Sequence, residues 1–161
     1  MNQHDRGIVA LVLAAGRAKR FGVDKRGIEL EGGKTLLEAT VASVSPFFES
    51  VFVVVRSEDD GEAMHIGHEK LVRSLNADRG MGFSIADGFA ALKHSQAVAA
   101  AVLLGDMPCI EPDTFSVLME HAAADRIVRP EYHGRAGHPV IFGRDFWGEL
   151  CQLQGRRGHG R

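Results

Sequence analysis

The chain has 161 residues, of which 45% are hydrophobic and 25% are charged, and its formal net charge is -2. These values are typical of one soluble globular domain, and they exclude a disordered or fibrous chain. The small net charge favours neither nucleic acid nor an anionic membrane as a partner. Cys109 and Cys151 form no disulfide framework, and the polar N-terminus does not resemble a secretory leader. We therefore expect a cytoplasmic protein without a membrane span.

The first predicted element is an apolar strand over residues 8–13, which has no polar alternation and is therefore expected to be covered on both faces. It leads into a loop over residues 16–27 that contains glycines and several basic residues, among them Arg17, Lys19, Arg20 and Lys25. Such a loop can bind a polyphosphate through backbone N–H groups and cations. Its glycines match neither the P-loop nor the GxGxxG spacing, and a solvated basic turn is the alternative.

Strands and helices alternate over the rest of the chain. A short strand at 28–30 and a turn at Gly32-Gly33 precede a helix from Thr35 to about Ser43, with Glu38 completing a capping box. Further strands are predicted over residues 51–55, 71–75, 98–104, 126–129 and 140–142. Further helices are predicted over residues 58–66, 83–93, 112–121 and 145–153. This order predicts a single three-layer α/β/α domain over residues 1–161, with a mostly parallel sheet and a basic tail at 154–161.

Parallel sheets bind ligands at the carboxyl ends of their strands, where the loops 14–25, 76–84 and 105–108 are expected to meet. Asp106 follows a buried strand and is either a Mg²⁺ ligand or a turn residue. The second loop contains Asn76 and small residues that allow a ligand to approach the backbone. Ser84 is expected to cap the next helix, to contact that ligand, or to do both.

A histidine between a glycine and a proline, at Gly137-His138-Pro139, is held in a fixed direction. It is either a ligand contact or a histidine whose hydrogen bonds are satisfied within a turn.

In chain order, these stretches resemble the MobA/MocA-like nucleotidyltransferases, the molybdenum cofactor cytidylyl- and guanylyltransferases. The segments that carry the resemblance are Leu13-Ala14-Ala15-Gly16 with Arg20, Gly22 and Lys25, then Lys34-Thr35-Leu36-Leu37-Glu38, Asn76 with 80–85, Gly105-Asp106-Met107-Pro108, and Gly137-His138-Pro139. The resemblance implies a Rossmann-like nucleotidyltransferase fold over nearly the whole chain.

The resemblance also implies roles for individual residues. An NTP would contact Leu13, Ala14, Ala15, Gly16, Arg17, Arg20, Lys25, Asn76, Gly82, Ser84 and Asp106. Of these, Arg20, Lys25 and Asp106 would be catalytic, and Asp106 would hold Mg²⁺. A phosphorylated pterin would be the acceptor, contacted by Gly137, His138 and Pro139.

The function implied is Mg²⁺-dependent transfer of CMP from CTP to the terminal phosphate of a molybdopterin-type cofactor, with a molybdoenzyme as recipient of the product. Ala15 favours CTP over GTP, since guanylyl members carry LAGG at this place. Alternatives are transfer to a sugar or polyol phosphate, and a non-catalytic accessory protein that binds the cofactor. The chain departs from the family pattern at several places: Ala18 replaces a serine, Ile28-Glu29-Leu30 replaces L-x-P, and Arg156 stands where an acidic residue is expected.

Overall fold

The computed structural model describes residues 7–16, 19–20, 23–24, 26, 32–61, 64, 66–67, 70–108 and 110–153, with the backbone alone for 19–20 and 23–24. The central sheet consists of β1 (Ile8–Leu13), β4 (Val51–Arg56), β5 (Leu71–Ser74), β6 (Ala99–Leu104), β7 (Ile127–Val128) and β10 (Val140–Gly143). Their order across the sheet is β5-β4-β1-β6-β10-β7. Strands β5, β4, β1 and β6 are parallel, whereas β10 is antiparallel to β6 and β7. The sheet is therefore mostly parallel, as predicted.

Helices cover both faces of this sheet, namely α1 (Leu36–Val44), α2 (Met81–Ala91), α3 (Pro112–His121) and α4 (Trp147–Leu150). Alternate residues of β1 enter two separate cores because successive side chains of a strand point to opposite faces. Ile8, Ala10 and Val12 pack with residues of α1 and α3. Val9, Leu11 and Leu13 pack with residues of α2 and α4. The predicted three-layer α/β/α arrangement is confirmed.

Two short antiparallel ladders form where the sequence predicted only loop or turn. One pairs β2 (Lys19–Arg20) with β3 (Val23–Asp24), and the other pairs β8 (Glu131–Tyr132) with β9 (Arg135–Ala136). The second ladder is closed by His133 and Gly134, which have φ of 51° and 81°. Positive φ at both central residues is typical of a tight hairpin turn, and strands of two residues are too short to show a periodic pattern.

The start of α1 was predicted correctly, whereas the start of α2 was not. The Thr35 hydroxyl accepts from the Glu38 N–H at 3.1 Å, and the Glu38 carboxylate accepts from the Thr35 N–H at 3.1 Å. Helix α2 instead begins at Met81, directly after Gly80, whose φ is 132°. Because glycine tolerates this φ, it ends the preceding 3₁₀ turn and starts the helix without a side-chain cap. Ser84 therefore lies inside the first turn of α2 and does not cap it.

The helix predicted over residues 58–66 is absent from the described part of that segment. The Asp59 carboxylate accepts a hydrogen bond from the backbone N–H of Arg56 at 2.8 Å, which favours a turn. The predicted helix at 145–153 is also shorter, with a 3₁₀ turn at Arg144–Phe146 followed by α4. The predicted strand at 28–30 and the tail at 154–161 lie outside the described residues. Within the described ranges, no helix is long and apolar enough to cross a bilayer.

Candidate functional site

A cavity of about 450 Å³ opens at the carboxyl edge of the parallel strands. Each of the three loops expected at this edge contributes to its lining. The loop after β1 contributes residues 13–16, and the segment after β5 contributes Ala77, Asp78, Gly80, Met81 and Ser84. The end of β6 contributes residues 104–106, and Arg26 completes the lining. The topology thus brings together the segments that the sequence had singled out separately.

The backbone of residues 14–16, here called the β1 loop, is held by two arginine side chains. Arg26 Nη1 donates to the Ala14 carbonyl at 2.8 Å. Arg56 Nε donates to the Ala15 carbonyl at 3.3 Å, and its Nη2 donates to the Gly16 carbonyl at 2.9 Å. Three consecutive carbonyls therefore face guanidinium groups, which fixes the path of the loop as it leaves the sheet.

The two arginines share one carboxylate, that of Asp59. Arg26 donates to both oxygens of this carboxylate, from Nη1 at 2.5 Å and from Nη2 at 3.0 Å. Burial alone would raise the pKa of Asp59, but the hydrogen bonds from Arg26 and the Arg56 N–H, with both positive charges, lower the pKa below its ordinary value. Asp59 is therefore ionised at neutral pH, and it neutralises part of the charge of this cluster.

Asp106 lines the cavity shortly after the end of β6, and Gly105 fixes its backbone. The Gly105 N–H donates to the Leu13 carbonyl at 2.9 Å, and the Gly105 carbonyl accepts from the buried Thr40 hydroxyl at 3.0 Å. A Cβ at Gly105 would approach the Leu13 carbonyl to 3.2 Å, so glycine permits this close contact. Asp106 is thus presented to the cavity from a firmly held backbone.

The Gly137-His138-Pro139 segment does not line the cavity, but it lies within electrostatic range of Asp106. Burial lowers the pKa of His138 below its ordinary value of 6.5, and the negative charge of Asp106 opposes this shift. Gly137 is held by a hydrogen bond of 2.9 Å from its N–H to the Pro130 carbonyl. Asp106 is therefore near enough to His138 for its charge to act on the imidazole.

The structure describes some of the other predicted site residues and leaves others outside its described ranges. Ser84 is buried and lines the cavity, whereas Asn76 and Gly82 lie in the same segment without lining it. Arg17, Lys25 and the side chain of Arg20 lie outside the described residues. Their predicted contacts with a nucleotide remain predictions.

Sequence reasoning missed Arg26, Arg56 and Asp59. Arg56 did carry one signal, because it is a charged residue at the end of an otherwise apolar strand, β4. The side chains of Arg26 and Asp59 are only 13% and 9% exposed, and Arg56 is 9% exposed. Charged side chains are rarely buried to this degree unless they are paired.

The carboxylate of Asp106, a residue that lines the cavity, suits a Mg²⁺ ion whose other ligands come from a bound substrate and water. No group of three or more histidine, cysteine, aspartate or glutamate residues that could hold a metal occurs among the described residues. Mg²⁺ is commonly bound by one or two carboxylates together with substrate phosphates and water. Asp106, at the edge of a cavity large enough for a nucleotide, matches that kind of donor set.

A family model for the MobA-like NTP transferase domain matches residues 10–161. The chain belongs to the MobA-like NTP transferase family. The match extends from β1 through all three loops of the cavity, so the cavity lies within the family domain. The resemblance noted from the sequence motifs is confirmed.

Several known proteins resemble the chain over most of its length. A probable molybdenum cofactor guanylyltransferase of Chloroflexus aggregans is 34% identical over 113 residues, which are 68% of this chain and 51% of that protein. The crystal structure of Rv0371c of Mycobacterium tuberculosis with manganese is 25% identical, covers 94% of this chain and 78% of that one, and has a TM-score of 0.73. The molybdopterin-guanine dinucleotide biosynthesis protein A of Archaeoglobus fulgidus is 25% identical with a TM-score of 0.64, covering 88% and 70%. The chain spans about half the length of the first curated relatives it matches.

Proposed function

We propose that this MobA-like chain transfers CMP from CTP to the terminal phosphate of a molybdopterin-type cofactor and releases pyrophosphate. The observation that carries the proposal is the cavity, whose lining combines the β1 loop, the start of α2 and Asp106. Backbone N–H groups of a loop and of a helix N-terminus attract phosphate, and a carboxylate attracts the accompanying metal. The names of the relatives support the acceptor, since they refer to the molybdenum cofactor or to molybdopterin.

In this proposal the chain acts by positioning its substrates. The β1 loop binds the triphosphate, while Arg20 and Lys25 supply further positive charge. An oxygen of the acceptor phosphate bonds to the α-phosphorus of the nucleotide. The bond from that phosphorus to the bridging oxygen breaks, and pyrophosphate leaves with the electron pair. Mg²⁺ held by Asp106 would offset the negative charge that develops, and no covalent protein intermediate is required.

Two observations favour different nucleotide bases. Ala15 is buried and its segment reads Ala-Ala-Gly, which resembles the cytidylyl members and favours the smaller base of CTP. The relative from Chloroflexus aggregans is named as a guanylyltransferase, which supports GTP as a second candidate. The products of the reaction would be a cytidine or a guanosine dinucleotide of the cofactor, for delivery to a molybdoenzyme.

The experiment is pyrophosphate release by the full chain with each of the four NTPs and Mg²⁺, with and without molybdopterin. We expect release only when molybdopterin is present, and faster release with CTP than with GTP. Faster release with GTP would reverse the choice of donor while leaving the proposed reaction intact. Release with a sugar or polyol phosphate but not with molybdopterin would replace the acceptor. Cofactor binding without any release would identify an accessory protein instead of an enzyme.

A further inference from the structure

The arginine contacts of the β1 loop determine where its N–H groups point. The carbonyls of Ala14 and Ala15 face the guanidinium groups of Arg26 and Arg56. In a trans peptide the carbonyl and the following N–H point in opposite directions. Among the described residues, the His138-Pro139 bond is the only cis peptide. The N–H groups of Ala15 and Gly16 therefore point away from the two guanidinium groups.

Asp59 contacts both arginines, through the side chain of Arg26 and the backbone of Arg56. Its carboxylate accepts from Arg26 and from the backbone N–H of Arg56, the latter at 2.8 Å. The Asp59 carboxylate, on the turn after β4, orients the Arg26 guanidinium and fixes the backbone from which the Arg56 side chain extends to the β1 loop. Moving either arginine side chain would release at least one carbonyl of the loop.

We propose that Arg56, Arg26 and Asp59 are positioning residues that direct the Ala15 and Gly16 N–H groups toward the polyphosphate of the bound nucleotide. The inference rests on the proposed function, since it assigns that polyphosphate to the β1 loop. Arg56 and Asp59 are not among the residues that line the cavity, so they act on the nucleotide through the backbone, and their effect depends on geometry more than on their charge. Two N–H groups already oriented before binding require no reorganisation when the anion arrives.

Arg56 allows geometry to be separated from charge. Its guanidinium reaches two adjacent carbonyls at once, through Nε and Nη2. A lysine in its place keeps the positive charge but has a single nitrogen on a flexible stem and does not reproduce this paired contact. If only the charge of Arg56 mattered, Arg56→Lys would leave the affinity for the polyphosphate nearly unchanged.

The test measures, by isothermal titration calorimetry, the affinity of the full chain for inorganic tripolyphosphate, CTP and cytidine. We expect Arg56→Lys to weaken tripolyphosphate and CTP binding by about tenfold or more, as for the loss of a charge-assisted hydrogen bond, while cytidine binding stays the same.

The matched control is Arg144→Lys. Arg144 Nη1 also donates to a backbone carbonyl, that of Ala97 at 2.6 Å, but at the amino end of β6, away from the cavity. This control is expected to bind all three ligands as the unaltered chain does.

Asp59→Asn is the second variant, because it keeps both arginines while removing the charge of the carboxylate that accepts from the Arg26 guanidinium and from the Arg56 N–H. Thermal unfolding of each variant shows whether it is folded at the temperature of the titration. Equal tripolyphosphate binding by the unaltered chain and by the folded variants would overturn the positioning role and leave the proposed function standing. A matching loss of cytidine binding would also overturn it, since it would indicate a general loosening of the cavity. If the unaltered chain bound neither tripolyphosphate nor CTP, the proposed function would fail and the positioning role with it.

Discussion

Thr40 in α1 and Gly105 at the end of β6 are joined by a buried hydrogen bond of 3.0 Å from the hydroxyl to the carbonyl. The same hydroxyl also contacts the Leu36 carbonyl at 3.0 Å, as is common for a threonine inside a helix. Of these two contacts of the Thr40 hydroxyl, the one with Gly105 connects α1 to the backbone that presents Asp106. One helix of the outer layer thus supports the cavity without lining it.

Thr40→Val tests this support, since valine keeps the shape of threonine and removes the hydroxyl. We expect the free energy of unfolding to fall by about 1–3 kcal/mol, because a buried carbonyl loses its donor. Urea denaturation of the full chain measures the change. The control is Ser43→Ala, which removes a hydroxyl bonded to the Thr40 carbonyl within the same helix and is expected to cost less. Equal losses in the two variants would show that the Gly105 contact contributes nothing of its own.

Asp106→Asn is expected to lower kcat/KM for pyrophosphate release by at least about a hundredfold, with the fold retained. The amide keeps the size of the side chain but lacks the charge that would hold Mg²⁺. Asp113→Asn is the matched control, since Asp113 is an exposed carboxylate in the first turn of α3, and it is expected to be fully active. Full activity of Asp106→Asn would contradict the metal role.

His138 is expected to make stability depend on pH at and below its ordinary pKa of 6.5. Burial lowers its pKa in the folded state, so the unfolded chain binds the proton more readily as the pH decreases. The stability present above pH 6.5 is therefore lost progressively as the pH falls through 6.5 toward the lower folded value. Unfolding free energies at pH 7.5 and 5.5 should differ less in His138→Asn than in the unaltered chain. An identical pH dependence in both proteins would refute this assignment.

Replacing two glycines near the C-terminal end of the described chain by alanine should affect the free energy of unfolding differently. A Cβ at Gly143, the last residue of β10, would overlap the backbone carbonyl oxygens of Ala123 and Ala124, which cannot move without shifting the chain. We expect Gly143→Ala to destabilise the fold by about 1–3 kcal/mol. At Gly148 in α4, a Cβ would meet open space, so alanine is expected to be neutral or to stabilise by up to about 1 kcal/mol. Urea denaturation distinguishes the two, and a stable Gly143→Ala would show that this contact is not tight.

Patterns formed by neighbouring residues were sufficient to predict most of the architecture. The apolar run of β1, the capping box at Thr35 and Glu38, and Pro112 at the start of α3 each specify an element through nearby residues alone. The carboxyl-edge rule for parallel strands then predicted which loops would meet, and the cavity is lined by parts of all three.

The parts that sequence did not predict depend on distant residues. In the turn after β4, Asp59 is bonded to Arg26, which lies far away in the chain, and no local pattern indicates this contact. Arg56 reaches carbonyls of the β1 loop, and nothing within either segment indicates the other. Similarly, the start of α2 depends on the backbone conformation of Gly80, which a serine capping pattern at Ser84 cannot reveal.

The pairing of β1 with β6 extends from Ile8 opposite Ala99 to Leu13 opposite Leu104, directly below the cavity. A ligand that contacts both the β1 loop and Asp106 therefore bridges the ends of two central strands, and these strands cannot separate while it is bound. Binding at the cavity is thermodynamically coupled to unfolding of the whole sheet, which amounts to about 2.7 kcal/mol of added stability at a ligand concentration of 100 times Kd. The melting temperature of the protein can therefore rank nucleotides and acceptors by affinity even where no turnover occurs.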